Sequence, residues 1–261
     1  MPELKSDREI AVMREAGRLV AEVLDLMGRH IAPGVSTKEL DVLAEDHIRS
    51  RGAIPSFKGY RMGGHAFPAS ICASIDEVVV HGIPSDRTLV EGQIISIDVG
   101  TTLNGYCGDG ARTYAVGAID PLKQKLMDVT LAALEAGIAQ ARVGNRLGDI
   151  SAAVQQTVEA NGFSVVRDLV GHGIGRRMHE DPQVHNFGAA GTGPLLAKGL
   201  VLAIEPMVNA GSAAIRILRD GWTAVTQDGS LSAHFEHTVL VTDQEPEILT
   251  CLEPGSGELK A

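Results

Sequence analysis

Two stretches of this 261-residue chain carry the same signals in the same order, and that repeat constrains the fold more than composition does. Gly34, Leu40 and Gly52 recur as Gly144, Ile150 and Gly162, each 110 residues later. His81-Gly-Ile recurs as His172-Gly-Ile. Glu91-Gly-Gln-Ile-Ile-Ser-Ile-Asp98 recurs as Lys198-Gly-Leu-Val-Leu-Ala-Ile-Glu205, a shift of 107. Asp109, leading towards Ala-Arg-Thr-Tyr-Ala-Val, is echoed by Glu236, leading into His-Thr-Val-Leu-Val. Units this long are not solenoid repeats. They predict one domain over residues 1–261, built from pseudo-symmetric halves at roughly 6–119 and 120–243, with a site between them.

Within the first half, Asn104-Gly105 is a strong hairpin signal, because both central residues of a type I′ turn need positive φ. That turn sets Leu103 opposite Tyr106 and Gly100 opposite Asp109. Asp98, two residues before Gly100, then faces the same side as Asp109, diagonally about 7–8 Å away at the backbone. Alone, this reads as two solvated aspartates. The repeat adds Glu205 and Glu236, with His81 and His172, to the same region.

Four carboxylates do not share a buried site uncompensated, since each raises the next one's pKa. Oxygen ligands with one or two imidazoles suit divalent Mn, Fe, Co or Zn rather than a thiolate zinc centre. Two such ions, roughly 3.5–4 Å apart, fit between carboxylates so spaced. His172 and His179 stand in the Gly-rich run Gly171-His-Gly-Ile-Gly-Arg-Arg-Met-His179, too far apart for a one-turn ligand pair. One can hold metal while the other faces substrate, with Glu180 and Asp181 beside His179 to set its tautomer.

Ser6 to Glu9 and Ser36 to Glu39 are capping boxes that open helices. Asp120-Pro121 opens a third, running to about Arg142, and a fourth spans Leu147–Ala160. Residues 53–69 read as a loop, Ile71–His81 as one short strand, and Glu253–Ala261 as a frayed tail. A formal charge of −10 argues against nucleic-acid and acidic-membrane partners. Cys72, Cys107 and Cys251 lack CxxC spacing, so free thiols in a cytoplasmic setting are expected. No secretory h-region or membrane span is apparent, and nothing demands more than a monomer.

The run His81-Gly-Ile-Pro, Ile97-Asp98, Gly108-Asp109, Gly171-His-Gly-Ile-Gly with His179, Ile204-Glu205-Pro-Met and Phe235-Glu236-His-Thr resembles the methionine aminopeptidases of type I. The likeness extends from about Ser6 to Leu249. It implies an α+β "pita-bread" fold, an antiparallel sheet holding a dinuclear metal site with helices outside. By that resemblance Asp98 chelates one divalent ion, His172 and Glu205 the other, and Asp109 and Glu236 bridge both. A metal-bridging water would be the nucleophile, Glu205 the proton acceptor, His179 the oxyanion stabiliser, and His81 the partner of the scissile amide. The methionine pocket maps onto Phe57, Tyr60, Phe67, Met178 and Trp222, and four of the chain's nine aromatic residues fall there. The implied substrates are N-termini of nascent proteins and peptides with a small second residue, with ribosome association as an open expectation.

The chain departs from the family pattern in places. Arg61–Ala66 reads as a short insertion, Met178 stands where an aromatic is common, and Cys107 replaces a frequent histidine. His65, in the insertion, reads as a loop residue, and His234 as a neighbour of the site. Asp76 lies near the family's monovalent-cation site. The competing readings are an Xaa-Pro peptidase of the same fold, a non-catalytic binding protein that kept it, and a dimetal phosphoesterase. That last reading would call for more basic residues than Arg112, Arg176 and Arg177.

Overall fold

Ser6 accepts a hydrogen bond from Glu9 N–H while the Glu9 carboxylate accepts from Ser6 N–H at 2.9 Å, and this reciprocal cap starts helix α1, Asp7–His30. Ser36 and Glu39 do the same for α2, Thr37–Ser50. The computed structural model describes residues 3–62 and 64–252, so the tail expected at Glu253–Ala261 lies outside the described residues. Asp120 caps α3, Pro121–Ala139, by accepting from Leu122 and Lys123 N–H. This helix stops short of Arg142 because Gln140 and Ala141 donate to carbonyls three residues back, which tightens and ends the last turn. Helix α4 is Leu147–Ala160.

The Asn104-Gly105 turn forms with φ of 50° and 81°, and it dictates the register of the longest hairpin, Ile94–Leu103 with Tyr106–Ala115. Leu103 faces Tyr106 and Gly100 faces Asp109. The expected single strand Ile71–His81 is instead two, Ile71–Ile75 and Val78–Val80. The chain reverses at Asp76, which takes a left-handed φ of 51°. Its carboxylate holds that corner by accepting from Ile94 N–H and meeting the Lys123 ammonium. In the stretch read as loop, Ile54–Pro55 adds to the hairpin edge and Arg61–Met62 pairs with His65–Ala66.

One antiparallel sheet crosses both halves. Ile71–Ile75 pairs with Ile94–Leu103, and Tyr106–Ala115 pairs with Glu236–Leu240. The order continues through Val201–Ile204 and Gly171–Gly173 to Glu180–Val184. Two cores flank this sheet. Leu19, Val20 and Leu24 of α1 with Leu40 and Ile48 of α2 pack on Ile71, Ile95 and Ile97. Leu126 and Leu134 of α3 with Ile150 and Val154 of α4 pack on Leu202, Ile204 and Val239. Each core is thus built mainly from one helix pair and the strands it covers.

His81 and His172, matched by their His-Gly-Ile runs, do not occupy equivalent places. His172 pairs with Ala203. The residue 107 positions before Ala203 is Ser96 (203 − 107 = 96), which pairs with Ser74, so Ser74 is the counterpart of His172. His81 instead follows Val78–Val80, in a small sheet with Ala224–Thr226 and Ile215–Ile217.

Helix α1 crosses the hairpin where glycine meets glycine. A Cβ on Gly108 would lie 2.8 Å from Gly17 N and 2.9 Å from Ala16 C, and one on Gly17 2.4 Å from the Leu249 carbonyl oxygen. These neighbours are backbone and have no rotamer to change. Gly108→Ala is expected to cost roughly 1–3 kcal/mol of stability as overpacking. Urea melts of the two proteins check it, and an unchanged midpoint would refute it.

Candidate active site

The hairpin register brings Asp98 and Asp109 to one face. Asp98 stands between Cys72 and Ala111 on the flanking strands, and Ala111 pairs in turn with Glu236 across the junction of the halves. Thr238 fixes Asp109 there: its hydroxyl accepts from Asp109 N–H at 3.0 Å and donates to Asp109 O at 2.8 Å. Glu205 follows immediately after Val201–Ile204, its carbonyl held by Asn186 Nδ2 at 3.0 Å. His172 Nδ1 meets the Gly173 carbonyl at 2.9 Å, which leaves Nε2 facing acid: Asp109 Oδ2 at 3.7 Å and Glu205 Oε1 at 3.5 Å.

The residues present fit a divalent cation. One ligand atom each from Asp109, His172 and Glu236 lie within 4.8 Å of one another, and all three residues are buried. Asp98 Oδ1 and Glu236 Oε1 are buried without a hydrogen-bond partner. Such oxygens are costly unless a cation completes them. Burial pushes Asp98 up to about 7. Burial, then the neighbouring carboxylates, push Asp109, Glu205 and Glu236 well above their ordinary values. His172 is pushed down to about 4 by burial and by His179, so it stands ready as a neutral ligand.

Residues 11–243 match the metallopeptidase family M24. The chain belongs to that family. It is 55% identical to a methionine aminopeptidase of Clostridium acetobutylicum, with 96% of this chain and 99% of that one covered. It is 53% identical to methionine aminopeptidase 1 of Bacillus subtilis, covering 94% and 98% respectively. The methionine aminopeptidase structure from Rickettsia prowazekii superposes with a TM-score of 0.93 at 44% identity, over 96% of this chain and 100% of that chain. The prolidase of Pyrococcus horikoshii, at 20% identity and a TM-score of 0.77, shares the fold alone, with 97% of this chain covered and 64% of that one. The fold is the pita-bread fold.

In this M24 chain the acids floor a cavity of about 200 Å³. Phe67 meets Phe57 and Trp222 edge-on, at 6.5 and 5.3 Å between ring centres, and His81 meets Trp222 at 6.2 Å. Burial, then His179, holds His81 down at about 4. Tyr60 also lines the cavity, and its hydroxyl lies 2.8 Å from His179 Nδ1, with the His179 ring 4.3 Å from that of His172. The partner expected for His179 was the acidic pair after it, but the Glu180 carboxylate turns away to Lys5. Of the ligand, catalytic and pocket residues implied by the resemblance, Met178 alone does not line this cavity. It packs behind, with its methyl group and the Phe57 ring both close over Gly100.

Two neighbours of the floor escaped the sequence reading or were only glimpsed. Cys72 lines the cavity because it pairs with Asp98, a relation visible only once Ile71–Ile75 is registered on the hairpin. His234 is buried with neither ring nitrogen partnered, and its Nε2 is 3.9 Å from Glu205 Oε2. Cys107 is buried against Thr102, outside the cavity lining. Near Asp76 the Lys123 ammonium already supplies a positive charge at 3.0 Å. His65 sits against Gly221 in the next loop.

Proposed function

We propose that this chain is a metal-dependent aminopeptidase that removes methionine from the N-terminus of peptides and proteins. The observation that carries this reading is the convergence of acids from both halves with His172 at the base of a cavity walled by Phe57, Phe67 and Trp222. Its full-length likeness to methionine aminopeptidases gives independent support.

Asp98 would hold one divalent ion, His172 and Glu205 a second, and Asp109 and Glu236 both. Mn, Fe, Co and Zn all suit this donor set. Bound there, such ions polarise the scissile carbonyl and lower the pKa of water. The chain's own groups do the rest. Glu205 takes the proton released as water attacks. His179, from the rim, donates to the oxygen on which charge develops. His81 stands by the leaving nitrogen and supports its protonation. The methionine side chain, unbranched and polarizable, lies against the aromatic edges. The substrate's free amine would dock at the Asp98 end of the acid cluster, which would confine cleavage to the terminus, and a small second residue would pass most easily.

The two halves act together as one catalytic domain, and the chain works as a monomer. Its partners are the N-termini of nascent chains, met in the cytoplasm, with docking at the ribosome exit as the natural place of encounter.

The test is peptide cleavage followed by mass spectrometry, using protein stripped of metal and resupplied with Mn or Co. Met-Ala-Ser should lose methionine only when metal is present, while Leu-Ala-Ser, Met-Lys-Ser and Ala-Pro-Ser stay intact. Cleavage of Ala-Pro-Ser alone would transfer the chain to the proline-specific peptidases. Silence with every metal would overturn the enzymatic reading.

A further inference from the structure

The loop that carries His179 is tied down by a short segment from the other end of the chain. Lys5 N–H donates to the Gly199 carbonyl at 2.7 Å, and its side chain then passes over Gly175 to the Glu180 carboxylate. Lys5 Nζ meets Glu180 Oε2 at 2.7 Å, with the two side chains only 1% and 5% exposed. The other Glu180 oxygen accepts from Arg177 N–H at 3.1 Å. That carboxylate therefore closes residues 177–180 into a turn with His179 inside it. Gly175 leaves room for the lysine, since a Cβ there would lie 2.4 Å from Lys5 Cε and 2.6 Å from Nζ. On its far side the same loop is held by Cys107 N–H, which donates to Gly175 O at 2.8 Å. The Arg176 guanidinium also stacks 4.6 Å from the Tyr106 ring centre.

A buried ion pair is a poor device for stability alone. Its desolvation cost rivals its attraction, and an apolar pair of similar volume often does as well. What charges add is a defined direction and distance. Neither Lys5 nor Glu180 lines the cavity; both act on the chain that flanks a rim residue. Sites held to within a fraction of an ångström need such support behind the groups that touch substrate.

We infer that Lys5 is a positioning residue for the peptidase reaction, setting His179 over the cavity through its buried pair with Glu180. The inference rests on the role proposed above for His179. It predicts that breaking the pair slows the chemical step and leaves metal binding and substrate capture in place.

The experiment compares metal-loaded wild type, Lys5→Met and Glu180→Gln, each with and without His179→Ala, on Met-Ala-Ser well below the melting temperature of every variant. Glu180→Gln keeps the shape and an acceptor for Arg177 N–H, so it carries the test if Lys5→Met does not fold. Each single variant should lose about 10²-fold in kcat, the scale of a misplaced catalytic group, with KM and metal content unchanged. In the His179→Ala background the same changes should cost nothing further, because the group they position is gone. A folded Lys5→Met or Glu180→Gln with wild-type kcat overturns the inference, and so does a loss that multiplies with that of His179→Ala. An undiminished kcat in His179→Ala alone overturns the role of His179 instead.

Discussion

Glu236→Gln abolishes turnover, by about three orders of magnitude or more, equivalent to roughly 4 kcal/mol of barrier. Glu236 is 2% exposed, and its Oε1 has no partner within the protein. With Asp109 and His172 it forms a buried cluster whose ligand atoms lie within 4.8 Å of one another. The amide keeps the shape but removes the charge and half the oxygen donors, so metal affinity falls with activity. Stability separates this from simple damage. In metal-free protein the carboxylates repel one another, so removing one charge should raise the melting temperature. In metal-loaded protein the same change should lower it, because ligand-linked stabilisation is lost. Calorimetry with and without chelator, beside metal analysis, reads both signs. A fully active Glu236→Gln enzyme with its metal intact would sink the assignment.

His179→Ala lowers kcat by about 10²–10³-fold while KM and metal content hold. His179 is not in the acid cluster, and its Nδ1 is engaged by the Tyr60 hydroxyl at 2.8 Å. The other ring nitrogen is then free to serve the substrate. The contrast with Glu236→Gln is the point of the pair: one variant loses metal and rate together, the other rate alone. Loss of metal from His179→Ala would move this histidine into the ligand set.

The parts of the fold that could be read from sequence are those written in short spans. Both capping boxes and the Asn104-Gly105 turn involve residues a few positions apart, and each formed as its chemistry requires. The turn carried the Asp98–Asp109 geometry with it, since a hairpin register follows from its loop. The reversal at Asp76 was hidden because its stabilisers, Lys123 and Ile94, lie far along the chain. The partners of His179 were hidden for the same reason: Tyr60 is 119 residues away, and Lys5 reaches Glu180 across 175. His81 and His172 looked like a repeated pair, yet their strands do different jobs, because a three-residue match carries too little pattern to define a pairing partner.

The seam between the halves has an unequal construction. Within the hairpin ten residue pairs are in register, whereas Tyr106–Ala115 and Glu236–Leu240 share only two, Glu236 with Ala111 and His237 with Gly110. Mutually repelling charges thus gather at a sparsely paired junction of the sheet. A cation held by Asp109 and Glu236 would therefore do two things at once, neutralising the acids and tying together the two strands that carry them.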